Sequence, residues 1–222
     1  MSKISASLPS PETRSPEEPS LFEGATYLAS AHSLRDLPPP AGPELAFAGR
    51  SNAGKSSAIN TLARHKRLAF TSKLPGRTQL INFFGLKSGA LLVDLPGYGY
   101  AKVPRNVRDH WGGVVSAYLG GRTTLRGLVL IMDARHPLTE LDQQLLDWFA
   151  PRRLPVHALL TKSDKLSRRE GVDALAGARA GLAKWGPDHS AQLFSSLTRA
   201  GVAEAEATFR RWLQTPAEGP EG

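Results

Sequence analysis

One segment of this chain, residues 49–56, restricts the possible folds more than any other feature. It reads Gly-Arg-Ser-Asn-Ala-Gly-Lys-Ser and fits the pattern G-x-x-x-x-G-K-S/T. The apolar residues 44–48 before it predict a short buried strand, and residues 57–63 after it predict the beginning of a helix. A strand that runs through a glycine loop into a helix directs several backbone N–H groups and the positive helix end to one point. The segment therefore predicts a phosphate-binding loop in an α/β fold.

The residue types in this loop suit a nucleotide phosphate chain. Gly49 and Gly54 allow close backbone approaches that a Cβ atom would block. Lys55 can reach the β- and γ-phosphates, and the Ser56 hydroxyl is a candidate Mg²⁺ ligand. The alternative, a glycine-rich turn before a helix, is disfavoured by the flanking strand and helix. The other candidate nucleotide-binding residues of the loop are Arg50, Ser51, Asn52, Ala53 and Ser57.

A second phosphate motif follows at residues 94–97. The apolar residues 91–93 predict a strand that ends in Asp-Leu-Pro-Gly, which has the form D-x-x-G. Asp94 would hold Mg²⁺ through water, and the backbone N–H of Gly97 would face the γ-phosphate. An isolated D-x-x-G is more often a simple turn, so its weight comes from its place downstream of the loop.

A third motif, residues 161–164, reads Thr-Lys-Ser-Asp and follows a predicted strand at residues 156–160. It has the form N/T-K-x-D. The carboxylate of Asp164 can accept hydrogen bonds from N1–H and the 2-amino group of guanine, a donor pair that adenine lacks. Lys162 can lay its alkyl stem over the base, with Thr161 beginning the motif. Together, the three motifs predict a guanine-nucleotide site.

Four segments together resemble the EngB/YihA-type GTPases, which are bacterial ribosome-biogenesis GTP-binding proteins of the TRAFAC class, also linked by name to cell division and septation. The resemblance covers roughly residues 23–213. It implies a Ras-like GTPase domain that requires Mg²⁺. The segments are residues 49–56, Pro-Gly-Arg-Thr-Gln at 75–79, Asp-Leu-Pro-Gly-Tyr-Gly-Tyr at 94–100, and residues 161–164.

The resemblance also places site residues that the motifs alone do not. Thr78, with Gly76 and Arg77 beside it, maps to the first switch, where the threonine hydroxyl joins Mg²⁺ only in the GTP state. The loop formed by Ser195, Ser196 and Leu197 maps to the segment whose backbone N–H contacts guanine O6. On sequence alone, a plain loop threonine and a serine-rich turn remain alternatives for these two segments.

For hydrolysis, the residues assigned catalytic roles are Lys55, Asn52, Thr78 and Gly97. Tyr98 follows Gly97 where Ras-like proteins place a water-orienting glutamine, so we expect slow intrinsic hydrolysis. Asn52 stands where related GTPases use asparagine to hold K⁺, which makes K⁺ a candidate cofactor. The alternative is that Asn52 only bonds the neighbouring switch loop, and stimulation then comes from the partner.

Alternating strand and helix patterns predict one α/β domain at residues 23–213, with a mostly parallel six-stranded sheet, one antiparallel edge strand and helices on both faces. Residues 1–22 are expected to form a disordered extension, because residues 9–19 contain little that can pack. Residues 214–222 are expected to form a flexible tail. Further strands are predicted at residues 80–86, 90–93, 127–132 and 191–194, and further helices from Thr139 and at 173–185 and 203–213.

Composition limits the setting in which the protein acts. The 222 residues include no cysteine, which excludes disulfides and thiolate metal sites. No apolar run is long enough to span a bilayer, and residues 1–7 lack the apolar core of a signal peptide. We therefore expect a cytoplasmic protein without a membrane span. We also expect a monomer.

The net charge of +8 is unevenly distributed: residues 1–44 carry −3, residues 215–222 carry −2, and the body between them carries +13. A basic body suits a polyanion such as RNA or a membrane surface, and charge alone does not separate this from a solubilising surface. The resemblance favours RNA, with the large ribosomal subunit or its precursor as partner. Lys102, Arg105 and Arg108, after the second switch, are the expected rRNA contacts.

These observations predict a GTP-hydrolysing switch that acts in assembly of the large ribosomal subunit and is needed for normal cell division. Two alternatives stay open. One is a GTP-gated ribosome-binding module whose hydrolysis is incidental, which keeps the same nucleotide site. The other is an ATP-using P-loop enzyme such as a kinase, against which Asp164 argues.

Overall fold

The computed structural model describes residues 20–69, 80–99 and 111–214. These residues form one seven-stranded sheet in the order β1-β3-β4-β2-β5-β6-β7. The five strands from β4 to β7 in this order run parallel, and β3 runs antiparallel to both of its neighbours. The strands are β1 (Thr26–Ala31), β2 (Glu44–Gly49), β3 (Ile81–Gly85), β4 (Leu91–Asp94), β5 (Leu125–Asp133), β6 (Val156–Thr161) and β7 (Ser190–Leu193).

Helices cover both faces of the sheet, as the alternating pattern predicts. α1 and α5 pack on one face around Phe47 and Phe209, and α2, α3 and α4 pack on the other around Tyr118 and Leu130. Parallel strands covered on both faces are buried along their whole length, which is why β2 and β6 consist almost entirely of buried residues. The helices are α1 (Lys55–Leu62), α2 (Ser116–Gly121), α3 (Glu140–Phe149), α4 (Arg168–Leu182) and α5 (Val202–Gln214).

The predicted fold class is confirmed, but the sheet has seven strands rather than six. The additional strand is β1, which covers the outer edge of β3, so the antiparallel strand β3 lies inside the sheet and not at its edge. Tyr27 and Leu28 are 61% and 54% exposed, and the register shifts between Tyr27 and Ala29. A partly exposed strand with a bulge lacks the clean alternation that sequence patterns detect.

The folded region also begins earlier than the predicted boundary at residue 23. Phe22 is completely buried and meets the rings of Phe47 and Phe209 edge-on, with centroid distances of 6.3 and 5.9 Å. The Ser20 hydroxyl lies 2.5 Å from Oε1 of Glu206 on α5. Residues 20–22 therefore belong to the packed domain, because Phe22 fills the space between β2 and α5. Disorder of residues 1–19 stays a prediction.

A buried charged network fixes the beginning of β2, at the opposite end of that strand from the phosphate-binding loop. Glu44 is completely buried and accepts hydrogen bonds from the Tyr118 hydroxyl at 2.8 Å, Arg122 Nε at 2.7 Å and the Thr124 hydroxyl at 2.7 Å. Burial beside this carboxylate raises the pKa of Tyr118.

In the described part of the chain, no helix has the length and apolar character needed to cross a membrane.

Candidate nucleotide-binding site

The three sequence motifs meet at one edge of the sheet. β2 ends at Gly49, β4 at Asp94 and β6 at Thr161, and β2 lies directly beside β4. Because these strands are parallel, their carboxyl ends share an edge, which is where open α/β sheets bind ligands. The sheet therefore brings together the loop, the Asp94 segment and the Thr161 segment, which the sequence separates by tens of residues.

The loop between β2 and α1 has a backbone that only certain residues can adopt. A Cβ atom on Gly49 would lie 2.7 Å from the backbone oxygen of Ile131, so β2 approaches β5 too closely for any side chain there. Gly54 has a φ of +97° immediately before α1, and Asn52 has a φ of +65°. These left-handed positions turn the loop around the beginning of α1, whose first residue is Lys55. This is the tight turn before a helix on which the predicted backbone N–H cradle depends, and phosphate binding there stays a prediction.

The segment after Asp94 is fastened to this loop through its backbone. The N–H of Ser51 donates to the carbonyl of Tyr98 at 2.9 Å, and the N–H of Tyr98 donates to the carbonyl of Gly49 at 3.3 Å. Gly97 therefore lies beside Ser51, at the same edge as the cradle. Arg50 pairs with Tyr98 in an isolated parallel β-bridge. The buried Nε of Arg50 has no hydrogen-bond partner among the described residues.

Two oppositely charged side chains meet at the centre of the site. The ammonium group of Lys55 forms an ion pair with Oδ1 of Asp94, and the two side chains are only 11% and 7% exposed. Ser56, beside Lys55 in the first turn of α1, is half-buried. The Ser56 hydroxyl and the Asp94 carboxylate are hard oxygen donors of the kind that Mg²⁺ prefers. The residues present therefore fit a bound Mg²⁺ ion. The ammonium group of Lys55, next to Asp94, is the cation available for a phosphate.

On the other side of the loop, the Thr161 segment contacts the phosphate-binding backbone directly. The Thr161 hydroxyl bonds the carbonyl of Ala53 and lies 3.0 Å from the carbonyl of Met132. Lys162 has a φ of +58°, and its ammonium group donates to the carbonyl of Asn52 at 2.7 Å. The first two residues of this motif therefore connect the predicted base site to the predicted phosphate site.

The carboxylate of Asp164 is held by Ser195, which lies in the loop after β7. The Ser195 hydroxyl donates to Oδ1 of Asp164 at 2.6 Å, and this bond is the main reason that the pKa of Asp164 lies below its usual value. Ser195 is completely buried, and its oxygen also accepts the N–H groups of Leu197 at 3.2 Å and Thr198 at 3.1 Å. Ser196 is half-buried and Leu197 is 75% exposed. The structure thus brings the Ser195 loop beside Asp164, and a contact of its backbone with guanine O6 stays a prediction.

Three features of the site lie beyond what sequence reasoning identified. The side chain of Ser195 contacts Asp164, whereas the prediction concerned only the backbone of this loop. The Tyr98 hydroxyl donates to Asp142 of α3 at 2.6 Å. Burial beside this carboxylate raises the pKa of Tyr98. Asp133, the last residue of β5, accepts the ammonium group of Lys162 at 2.9 Å. An acidic residue at the end of a strand was the available signal for Asp133.

Some predicted site residues lie outside the described residues. These are Gly76, Arg77 and Thr78 of the first switch, and Lys102, Arg105 and Arg108 after the second. Their assignments remain predictions. Asn52 is exposed on the loop, and Ala53, the next residue, is buried. Ser57 is exposed in the first turn of α1.

Comparisons with known proteins identify relatives of this chain. A family model described as "50S ribosome-binding GTPase" matches residues 44–162. The Probable GTP-binding protein EngB of Methylobacillus flagellatus is 60% identical over 199 residues, covering 89% of this chain and 96% of that protein. The protein of the same name from Aromatoleum aromaticum is 60% identical over 198 residues, covering 89% and 92%.

Solved structures show the same fold at lower identity. A crystal structure of a probable GTP-binding protein EngB has a TM-score of 0.61 at 20% identity, covering 77% of this chain and 98% of that chain. The bacterial selenocysteine-specific elongation factor EF-Sec has a TM-score of 0.57 at 19% identity, covering 78% of this chain and 29% of that chain. The resemblance found in the motifs is confirmed by the sequence relatives, and the chain belongs to the EngB family of GTP-binding proteins.

Proposed function

We propose that this protein is a GTP-hydrolysing switch that acts in assembly of the large ribosomal subunit. One observation carries the proposal: three groups suited to a guanine nucleotide lie at one edge of the sheet. They are the loop between β2 and α1, the Lys55–Asp94 ion pair and the Asp164 carboxylate. A phosphate cradle beside a guanine-reading carboxylate favours GTP, and the family description adds the ribosome as a candidate target. Cytoplasmic localisation, a monomeric state and a requirement in septation belong to the same proposal.

Guanine selection rests on Asp164 and its orientation. The Ser195 hydroxyl donates to Oδ1, and the exposed ammonium group of Lys165 lies 3.7 Å from Oδ2. The carboxylate is thus held in one orientation, in which its remaining lone pairs are proposed to accept the N1–H and 2-amino donors of the base. We expect Asp164→Asn to weaken GDP and GTP more than about a hundredfold, because a charged hydrogen-bond partner is lost. The same variant is expected to discriminate less against xanthine nucleotides. Calorimetry tests both points, and equal affinity of the unmodified protein for ATP and GTP would contradict the guanine assignment.

Ser56 and Asp94 are the described residues proposed to hold Mg²⁺, together with Thr78 in the GTP state. When bound, Mg²⁺ supplies positive charge that neutralises the β- and γ-phosphate oxygens. Binding a nucleotide would separate Lys55 from Asp94, because the ammonium group then pairs with the phosphates. Ser56→Ala is expected to weaken nucleotide binding more in the presence of Mg²⁺ than in its absence, and Thr78→Ala is expected to weaken GTP but spare GDP.

Hydrolysis is proposed to be slow and to depend on an added cation or on the partner. Tyr98 cannot take the place of a water-orienting glutamine while its hydroxyl donates to Asp142, on the side of α3. Asn52 is exposed on the loop and is the proposed K⁺ residue, since a monovalent cation there would neutralise transition-state charge. Faster turnover in K⁺ than in Na⁺ at equal ionic strength, lost in Asn52→Ala, is the expected result. Identical rates in both salts would instead assign stimulation to the partner.

The ribosomal target is tested by sedimentation with purified subunits in each nucleotide state. We expect binding to large subunits or their precursors that is stronger with GTP and falls steeply as salt rises, because each phosphate contact adds to the salt dependence. Arg105→Glu with Arg108→Glu is expected to weaken this binding and spare GTP affinity. Turnover measured with and without particles then distinguishes a hydrolysing switch from a binding module. Absence of co-migration at low salt in both nucleotide states would contradict the ribosomal proposal.

A further inference from the structure

The last residue of β5, Asp133, lies at the centre of a charged cluster beside the proposed base site. It pairs in register with Thr161 at the end of β6, so its side chain emerges at the same sheet edge as the Thr161 segment. Oδ2 of Asp133 accepts the ammonium group of Lys162 at 2.9 Å and Nη2 of Arg135 at 2.6 Å. Oδ1 accepts Nε of Arg135 at 2.9 Å. One carboxylate therefore serves two cations, and one of them is the lysine of the guanine motif.

Lys162 is held at both ends of its side chain. Its backbone is fixed in the left-handed region, with a φ of +58°, directly after the buried strand β6. Its ammonium group donates to the carbonyl of Asn52 in the phosphate-binding loop as well as to Asp133. The alkyl stem between these ends therefore spans from the base side to the phosphate side of the site. Without the acidic partner, the ammonium group would keep only one neutral acceptor among these contacts.

We propose that Asp133 is a positioning residue that slows the release of guanine nucleotides by holding Lys162 in place before the base binds. The inference rests on the proposed role of Lys162 as the platform over the base. A lysine that must be ordered during binding weakens affinity, and a lysine that is already ordered does not. Asp133 provides this order through its charge, because a charge-assisted hydrogen bond is stronger than a neutral one.

The electrostatic surroundings keep Asp133 able to do this. Arg135 and Lys162 hold the pKa of the Asp133 carboxyl far below its ordinary value, so the group stays ionised throughout the neutral range. Arg135 is the more exposed cation, with its side chain 46% exposed against 34% for Lys162. Arg135 thus contacts both carboxylate oxygens from the more exposed side and shares Oδ2 with Lys162.

Asp133 also supports its own turn, which gives a purely structural alternative. Its carbonyl accepts the N–H of His136 at 3.0 Å, and its Oδ1 accepts the N–H of Arg135 at 3.1 Å. If this turn were the whole function of Asp133, removing its charge would have the same effect whether or not position 162 carries an ammonium group. The positioning role instead requires that the effect disappear when the ammonium group is absent.

A double-mutant cycle on nucleotide release separates the two roles. Release of fluorescent GDP is measured by stopped flow on the full chain with Mg²⁺, for Asp133→Asn, Lys162→Gln and the double variant. We expect Asp133→Asn to speed release about two- to tenfold, from the ordering of one long side chain. The double variant is expected to match Lys162→Gln alone. Asp173→Asn, which removes the same charge from an exposed ion pair on α4, is the matched control and is expected to leave release unchanged.

Each other outcome has a definite meaning. Equal acceleration by Asp133→Asn in both backgrounds would overturn the positioning role, as would no acceleration while Lys162→Gln has a clear effect. If Lys162→Gln itself leaves release unchanged, the proposed platform role of Lys162 fails, and this inference fails with it. A second readout uses inosine diphosphate, which lacks the 2-amino group. Asp133→Asn is expected to speed its release by the same factor as that of GDP, because the proposed role of Asp133 acts through Lys162 and involves no contact with the base edge. A smaller acceleration for inosine diphosphate would contradict that role.

Discussion

Replacing Ser195 with alanine is expected to disturb the proposed guanine side of the site in two measurable ways. The hydroxyl of this completely buried residue donates to Asp164 at 2.6 Å and accepts two backbone N–H groups, from Leu197 and Thr198, at 3.2 and 3.1 Å. Alanine removes the donor and the acceptor together. The carboxylate then loses its fixed orientation, and the loop after β7 loses the contact around which it turns.

The size of each effect follows from these bonds. A hydrogen bond to a charged group contributes about 1.5–3 kcal/mol and a neutral one about 1 kcal/mol. Because Leu197 is 75% exposed, water can replace part of the lost backbone bonding, so we place the total loss of unfolding free energy at about 2–4 kcal/mol. Reordering the Asp164 side chain during binding adds about 0.5–1.5 kcal/mol, which weakens GDP about two- to tenfold.

Chemical denaturation of the nucleotide-free protein measures the first effect, and calorimetry with GDP measures the second. Ser88→Ala is the control, since Ser88 is exposed in the β3–β4 turn at the opposite end of β4 from Asp94, and surface changes of this kind alter stability by less than about 0.5 kcal/mol. Unchanged GDP affinity in a destabilised Ser195→Ala protein would refute the argument that Ser195 orients Asp164. Unchanged stability would refute the account of the buried bonds.

Three further predictions concern other parts of the structure. In nucleotide-free protein, Lys55→Ala leaves the Asp94 carboxylate without its counter-ion and is expected to lower the free energy of unfolding in urea by about 3 kcal/mol. The double variant Lys55→Ala/Asp94→Ala is expected to recover part of this loss. Additive losses of the two single variants would argue against the ion pair. Burial lowers the pKa of His157 to about 4, so the unfolded state binds protons first and the unfolding free energy falls as pH drops from 6.5 towards 4. Between about pH 7 and pH 5 we expect a loss of about 2 kcal/mol from this group, absent in His157→Gln. Tyr98→Phe leaves an oxygen of the buried Asp142 without its donor and is expected to cost about 2 kcal/mol in the same unfolding assay without slowing single-turnover hydrolysis, whereas a matching fall in rate would give Tyr98 a part in the reaction.

The fold could be predicted wherever burial leaves a direct mark on the sequence. β2, β5 and β6 lie in the middle of the sheet with helices on both faces, so their residues are nearly all apolar and stand out as runs. β1 lies at the edge and exposes Tyr27 and Leu28, so it carries no such mark. Phe22 could not be placed either, because a single aromatic residue in a polar segment becomes part of the core only once α5 and β2 are in position.

The site divides in the same way. Motif spacing was sufficient to place Asp94 at the end of β4, Lys55 at the beginning of α1 and Asp164 shortly after β6. Short motifs encode local turns, and the strands fix where those turns meet. The partners of these motifs were not predictable. Asp133 meets Lys162 across 29 residues of chain, and Tyr98 meets Asp142 across 44, so each pair depends on strand order and helix placement rather than on any local pattern.

Thr161 stands where the motif also allows asparagine, and its smaller side chain connects two parts of the site. Its side chain faces the loop, where the hydroxyl donates to the carbonyl of Ala53. A Cβ atom on Gly54 would lie only 3.3 Å from the Thr161 hydroxyl oxygen. A small residue at 161 and a glycine at 54 thus allow β6 to approach the loop closely. A single hydroxyl is then sufficient to join the base side to the phosphate side, and Lys162 adds a second connection at Asn52. The phosphate-binding loop is therefore joined by direct hydrogen bonds to the segment proposed to read guanine.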